Sequence, residues 1–158
     1  VPGVATVPEA MKIAVIHGPN LNLLGQREPS IYGAETLAEV NGSLEALGRE
    51  LGVEVRAFQS NGVGALIDHI QEVANEVDGF IVNAGAYTHT SVGLRDALVG
   101  VARPFVEVHL SKVHQREEFR HRSFLSDRAV GVVAGFAAES YLLGLRGIVS
   151  HLKRAGRS

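Results

Sequence analysis

Lys12-Ile13-Ala14-Val15-Ile16 runs straight into His17-Gly18-Pro19-Asn20-Leu21-Asn22-Leu23-Leu24-Gly25-Gln26-Arg27-Glu28-Pro29-Ser30-Ile31-Tyr32-Gly33. The first stretch has the length and apolar character of a strand covered on both faces. The second is too long and too polar for an ordinary strand-to-helix joint, which takes roughly 2–6 residues. A connection of that length without structure of its own is functional or disordered. The regular chain on either side argues against disorder. The segment also carries Asn20, Arg27 and Tyr32, three side chains with chemistry to offer.

Outward from this segment the chain alternates between two periodicities. Thr36 is placed to cap a helix over residues 37–51 that stops at Gly52. Residues 53–58 read as a second strand, 65–77 as a helix and 79–82 as a third strand. Ser91 can cap a helix through residue 99, and Pro104 borders a fourth strand over 105–108. A weaker fifth strand spans 131–134, and a closing helix runs from 137 to about 153. Short apolar strands separated by helices predict an α/β fold. The expected architecture is a flavodoxin-like three-layer sandwich: a five-stranded parallel sheet, order 2-1-3-4-5, with helices on both faces. Ligands bind such sheets beyond the carboxyl ends of the strands, where the strand order reverses. Residues 17–33, 59–64, 83–91 and 107–122 land there.

The 158 residues suffice for one domain with its own core. That domain is expected over residues 11–153, with 1–10 a mobile arm and 154–158 a frayed basic tail. The true start is expected either at Met11, the only methionine, or ahead of Val1 at a processed or unseen start. A net charge of −2 gives no reason to expect nucleic acid or an anionic membrane as partner. No apolar run is long enough to span a bilayer, and the first residues lack signal-peptide character. The absence of cysteine excludes disulfides, thiolate catalysis and cysteine-ligated metals, and fits a cytoplasmic protein.

Neither GxGxxG nor a Walker A sequence is present, and Pro19 removes an N–H where a phosphate cradle wants one. No nucleotide cofactor is expected. His89, His109 and His114 lack HExxH spacing, so no metal is expected either. A free phenol titrates near pH 10, about 4 kcal/mol away from serving as a base at neutral pH. A guanidinium alongside favours the phenolate, most of all in a closed, dry site. Arg27 and Tyr32 offer that pair, or else a surface charge and a packing ring. Asn83 to Ser91 brings an amide, the His89 imidazole and hydroxyls to a strand end, a set that suits a polyhydroxylated ligand. Asp96 on the next helix reads as an ordinary solvated residue. Glu107 and His109 alternate along one strand and share a face. A carboxylate beside an imidazole fixes its tautomer and raises its basicity, which suits a general acid. Leu110 and Ser111 open a turn towards a helical stretch whose amides could hold a carboxylate. Arg120, His121 and Arg122 add positive charge. An anionic, hydroxyl-bearing small molecule is the natural ligand.

Taken in order, these segments resemble the type II 3-dehydroquinate dehydratases of the shikimate pathway. The matching stretches are Gly18-Pro19-Asn20-Leu21-Asn22-Leu23-Leu24-Gly25 with Arg27 and Tyr32-Gly33, then Gln59-Ser60-Asn61. Asn83-Ala84-Gly85-Ala86-Tyr87-Thr88-His89-Thr90-Ser91, Val106-Glu107-Val108-His109 with Ser111, and Arg116-Glu117-Glu118-Phe119-Arg120 complete the set. The resemblance implies an anti elimination of water from 3-dehydroquinate through an enolate, without metal or cofactor. It implies Tyr32 as the general base, Arg27 as the group favouring its phenolate, and Asn20 as the holder of a water at the enolate oxygen. His109, oriented by Glu107, would protonate the departing hydroxyl. Asn83, Leu110 and Ser111 would hold the carboxylate, and His89 and Arg120 the ring hydroxyls. The family's counterpart of Asp96 reaches in from a neighbouring subunit, and the family assembles trimers into a dodecamer. Part of residues 17–33 would then be a mobile lid.

Two runs depart from the family's pattern. Asn61-Gly62-Val63-Gly64-Ala65-Leu66 stands where a histidine and acidic residues are usual. Ala138-Glu139-Ser140-Tyr141 replaces a Gly-Ile-Gln-Gly-Tyr-like run and is expected to lie remote from the chemistry. A non-catalytic flavodoxin-like binding domain is the reading from another class, and it would need a flavin or phosphoryl site.

Overall fold

The computed structural model describes residues 9–156. The apolar run becomes β1 (Met11–His17), buried along its length apart from Lys12. It is joined by β2 (Val53–Gln59), β3 (Gly79–Asn83), β4 (Phe105–His109) and β5 (Gly131–Ala134) in the order β2-β1-β3-β4-β5, parallel throughout. The helices are α1 (Pro29–Tyr32), α2 (Leu37–Leu51), α3 (Val63–Val73), α4 (Val92–Val101) and α5 (Glu139–Arg154). This is the expected flavodoxin-like sandwich. Alternation along β1 divides the core: Ile13 and Val15 pack with the α2 and α5 side, Ala14 and Ile16 with the α3 and α4 side. Ile13, Ile16, Phe80 and Ile81 are wholly buried, each stabilising the fold by roughly 1.5–3 kcal/mol.

The helix ends follow their capping residues. Thr36 Oγ1 accepts from the backbone N–H of Glu39 at 3.2 Å, and α2 stops where Gly52 turns left-handed at φ 73°. Ser91 Oγ accepts from Leu94 N–H at 2.9 Å to start α4.

Four helix boundaries differ from expectation. The third helix begins at Val63 and ends at Val73, earlier at both ends than 65–77. Its cap, Gly62, has an extended backbone and no side chain to contribute, and the chain must turn before Gly79 to enter β3. The next helix continues to Val101 because Ala102, at φ 56°, is what ends it. The closing helix begins at Glu139, since Ala137 is left-handed at φ 50° and cannot be helical. The long connection after β1 has structure of its own, a 3-10 turn at Leu21–Leu23 and the short α1.

Most of the expected N-terminal arm, residues 1–8, and positions 157–158 lie outside the described residues. Glu9 and Ala10 are exposed, and Arg154 is still helical. Among the described residues no helix is long and apolar enough to cross a membrane.

Strand register sets up the site. His17 lies level with Gln59 on one side and Asn83 on the other, so three polar side chains line the carboxyl edge of the sheet. Gly18 follows directly. A Cβ there would come 2.4 Å from the Ala84 carbonyl oxygen, so only glycine permits the approach that joins the loops after β1 and β3.

Candidate active site

A cavity of about 180 Å³ opens beyond the carboxyl ends of β1, β3 and β4. Asn20, Arg27 and Tyr32 reach it from the connection after β1, Asn83 from β3, and His89 from the turn that follows β3. His109, Leu110, Ser111, Arg116 and Arg120 line it from β4 and its following loop. Nine of the expected positions thus share one cavity: Asn20, Arg27, Tyr32, Asn83, His89, His109, Leu110, Ser111 and Arg120. Glu107 lies fully buried behind His109. Asp96 is not brought in; it stands exposed on α4, since the helix turns its Leu94, Ala97 and Leu98 face to the core. His121 and Arg122 are also exposed and outside the cavity wall.

Each part has a local cause. Asn20 sits left-handed at φ 70°, a conformation asparagine tolerates better than most residues. Its backbone N–H donates to Asn61 Oδ1 at 2.9 Å, and Gln59 Nε2 donates to the Gly18 carbonyl at 3.1 Å. Tyr87 in turn donates to the Asn61 carbonyl at 2.6 Å. Gln59 and Asn61 therefore moor the Asn20 turn, so the atypical Gly62–Ala65 run begins just past the mooring. A Cβ on Gly64 would meet open space, and one on Gly62 only Ser60 Oγ in ordinary contact at 3.8 Å. The helical stretch expected after Ser111 is only a pair of 3-10 turns, Val113–Gln115 and Glu118–Arg120.

Tyr32 is half-buried, with two cations over its ring. The Arg27 guanidinium carbon lies 4.7 Å from the ring centroid and that of Arg116 5.3 Å. Arg116 stood in the sequence only as part of the family-like stretch Arg116-Glu117-Glu118-Phe119-Arg120, with no role of its own. Its placement over the ring is decided by the path of the loop after β4.

His109 donates from Nε2 to Glu107 Oε2 at 2.5 Å. The same carboxylate oxygen accepts from Thr88 Oγ1 at 3.0 Å and Ser123 Oγ at 2.8 Å, and Oε1 accepts from Ser126 Oγ at 2.5 Å. Burial alone would push the Glu107 carboxyl up. The hydrogen bond and charge of His109, with those of Ser126 and Ser123, outweigh it and hold the group below its ordinary range. Glu107 is therefore an ionised carboxylate that fixes the His109 tautomer, leaving Nδ1 for the cavity. The three hydroxyls come from distant segments and carry no motif.

His89 donates from Nδ1 to the Arg122 carbonyl at 2.7 Å, which leaves Nε2 as an acceptor. Burial lowers its pKa first, and nearby His109 and Arg120 lower it further against that hydrogen bond. A neutral imidazole offering an acceptor suits a ligand hydroxyl. Arg120 is held by Glu117 at 2.5 Å. The run ending in Tyr141 is not remote, contrary to expectation. The Tyr141 hydroxyl accepts from Asn83 Nδ2 at 3.0 Å, because α5 crosses beneath β3.

The arrangement sets a phenol against two guanidiniums on one wall and a carboxylate-backed imidazole on another. It can take a proton at one place and give one at a second, with cations to hold an anion between. Among the described residues no cluster of His, Cys, Asp and Glu has the geometry of a metal site.

Known proteins share this arrangement of chain and fold. The family model described as Dehydroquinase class II matches residues 11–149. A 3-dehydroquinate dehydratase of Prochlorococcus marinus is 60% identical over 144 residues, covering 91% of this chain and 99% of that protein. One of Bordetella avium is 57% identical over 143 residues, covering 90% and 99%. The crystal structure of the type II dehydroquinase of Butyrivibrio crossotus superposes with a TM-score of 0.86 at 42% identity, covering 89% of this chain and 98% of that one. With a family match from β1 into the last helix and relatives this similar over their whole length, the chain belongs to the class II dehydroquinase family.

Proposed function

We propose that this protein is a lyase that removes water from 3-dehydroquinate to give 3-dehydroshikimate, in the shikimate pathway of aromatic amino-acid biosynthesis. The observation that carries the reading is the shared cavity, with Tyr32 under the Arg27 and Arg116 guanidiniums on one wall and the Glu107-backed His109 on another. In this reading the Tyr32 phenolate takes a proton from the carbon beside the ketone. The electron pair moves onto the ketone oxygen as an enolate, which a water held by Asn20 stabilises. The enolate then collapses, the carbon–oxygen bond breaks, and His109 gives its proton to the leaving hydroxyl as water departs. Arg27 favours the phenolate, and Glu107 stabilises the imidazolium. Asn83, Leu110 and Ser111 bind the carboxylate, with His89 and Arg120 on the ring hydroxyls. The reaction uses neither metal nor cofactor.

The proposal extends to a cytoplasmic homo-oligomer, a dodecamer built as a tetramer of trimers, in which Asp96 completes a neighbour's site. Two features support assembly. Asp96 stands exposed and away from its own cavity. The edge strand β5 and its flanks expose Val130, Val132 and Phe136 at 41, 49 and 62%, an edge that needs cover. Sedimentation should give the mass of a dodecamer, and Asp96→Ala should raise KM. A monomer with full activity would remove this part of the reading.

The central test is the enone absorbance that grows when 3-dehydroquinate is added, with chelator present. Folded protein that produces none would overturn the assignment. Tyr32→Phe should lower kcat by about 10³-fold or more while substrate still binds. Near-normal turnover by that variant would mean that another group is the base.

A further inference from the structure

A buried polar chain beneath the cavity has no part in the proton transfers above. His17 of β1, Asn83 of β3 and Tyr141 of α5 are 0, 3 and 0% exposed, and Asn41 of α2 ends the row. Asn83 Nδ2 donates to Tyr141 Oη at 3.0 Å. Tyr141 Oη lies 2.8 Å from His17 Nδ1, and His17 Nε2 lies 2.8 Å from Asn41 Oδ1.

Counting protons orients every bond. The backbone N–H of Gly85 donates to Asn83 Oδ1 at 3.2 Å, so the carboxamide oxygen faces Gly85 and its nitrogen faces Tyr141. The Tyr141 oxygen therefore receives one N–H and has a single O–H to give. Its acceptor is His17 Nδ1, which must be bare. The His17 hydrogen is then on Nε2 and goes to Asn41 Oδ1. The opposite tautomer would aim two N–H groups at the Tyr141 oxygen and leave its own proton facing donors. Only the first arrangement gives the Tyr141 hydroxyl proton an acceptor, and among the described residues no buried side-chain nitrogen or oxygen lacks a partner. Burial lowers the His17 pKa to about 4 against the hydrogen bond to Asn41, and pushes the Tyr141 phenol up. Neither group changes protonation near neutral pH.

One consequence falls on the cavity, which Asn83 lines. With Oδ1 committed to Gly85 and one Nδ2 hydrogen to Tyr141, the second N–H is the donor left for a ligand. We propose that Tyr141 and His17 are positioning residues: the chain Asn83→Tyr141→His17→Asn41 locks the Asn83 carboxamide so that an N–H, not its oxygen, meets the substrate carboxylate. A flipped amide would present oxygen to an anion. The proposal rests on the reading of Asn83 as a carboxylate-binding residue.

The test is steady-state kinetics on Tyr141→Phe, Asn83→Ala and the double variant. Phenylalanine keeps the ring and removes both bonds. Tyr141→Phe should raise KM about tenfold, the effect of weakening one hydrogen bond to a charged group, with kcat within about threefold. Asn83→Ala should raise KM at least as much, and adding Tyr141→Phe to it should change little more. If Asn83→Ala leaves KM unchanged, the carboxylate-binding reading fails and this proposal fails with it. If Asn83→Ala raises KM but Tyr141→Phe does not, or the two effects multiply, only the locking proposal is overturned. Nitrogen NMR of the wild-type protein gives an arm that does not depend on a variant folding. His17 should be the neutral Nε2–H tautomer at pH 7, and an Nδ1–H tautomer or an imidazolium there overturns the proposal.

Discussion

Glu107 is the residue on which the site's electrostatics turn. It is wholly buried, yet it accepts hydrogen bonds from His109, Thr88, Ser123 and Ser126. A carboxylate so supplied with donors stays ionised despite burial, and it can stabilise a proton on His109 without taking it. Glu107→Gln keeps the shape and removes the charge. It should lower kcat about 10²-fold, the lower range of general acid–base contributions, with KM little changed. Near-wild-type kcat in the enone assay would show that the charge is not needed. At this scale the pairing of Glu107 with His109 was legible because they alternate on one strand. The three hydroxyls were not, because Thr88, Ser123 and Ser126 meet the carboxylate only once the loops after β3 and β4 fold against each other. The roles of Arg116 and Tyr141 were illegible for the same reason: each acts through a neighbour that is distant in sequence.

At the scale of elements, the connection after β1 is tied down at its start and crosses the site at its end. Gly18 donates its N–H to the Asn83 carbonyl at 2.7 Å, and its missing Cβ lets the backbones of the loops after β1 and β3 touch. The clash that Gly18→Ala creates is with backbone, which cannot step aside as a side-chain tip can. That variant should lose several kcal/mol of stability, within the range of roughly 1–3 or more that overpacking costs. It should also displace the Asn20 turn, so that kcat/KM falls even where the protein remains folded. Unchanged melting and activity would refute the close approach. Helices with good caps were legible, as Thr36, Gly52 and Ser91 demonstrate. The limits of α3, the end of α4 and the start of α5 were not. Gly62 caps without a side chain, and Ala102 and Ala137 adopt left-handed conformations that alanine gives no hint of.

For the whole molecule, acid is the predicted weakness. His17 is buried and neutral, its pKa lowered by burial from 6.5 to about 4. Between those values the unfolded chain binds more protons than the folded one, so stability rises with pH there. The contribution is complete above pH 6.5 and drains away as pH falls towards 4, on the order of 3 kcal/mol across that window. Glu107 adds a loss at the lower end, since its depressed pKa gives stability that is present above the ordinary carboxylate value and lost as pH falls through the folded value. Melting temperature should therefore drop steadily below pH 6.5, and His17→Gln should flatten the upper part of that slope. A wild-type profile already flat from pH 6.5 to 4.5 would contradict a buried neutral imidazole. By itself the sequence determined the layer architecture, the strand order and most of the cavity-lining residues. Period-two and helical apolar patterns, caps, and polar runs at strand ends are local properties that suffice for the layers and the cavity-lining positions, and the strand order follows from the flavodoxin-like architecture they point to. Only the tertiary structure decided which side chains support the site from behind, namely Arg116 over Tyr32, the hydroxyls on Glu107, and the Tyr141–His17 chain under Asn83. Those contacts join residues far apart in the chain, and their partners are selected by packing across the sheet rather than by any local pattern.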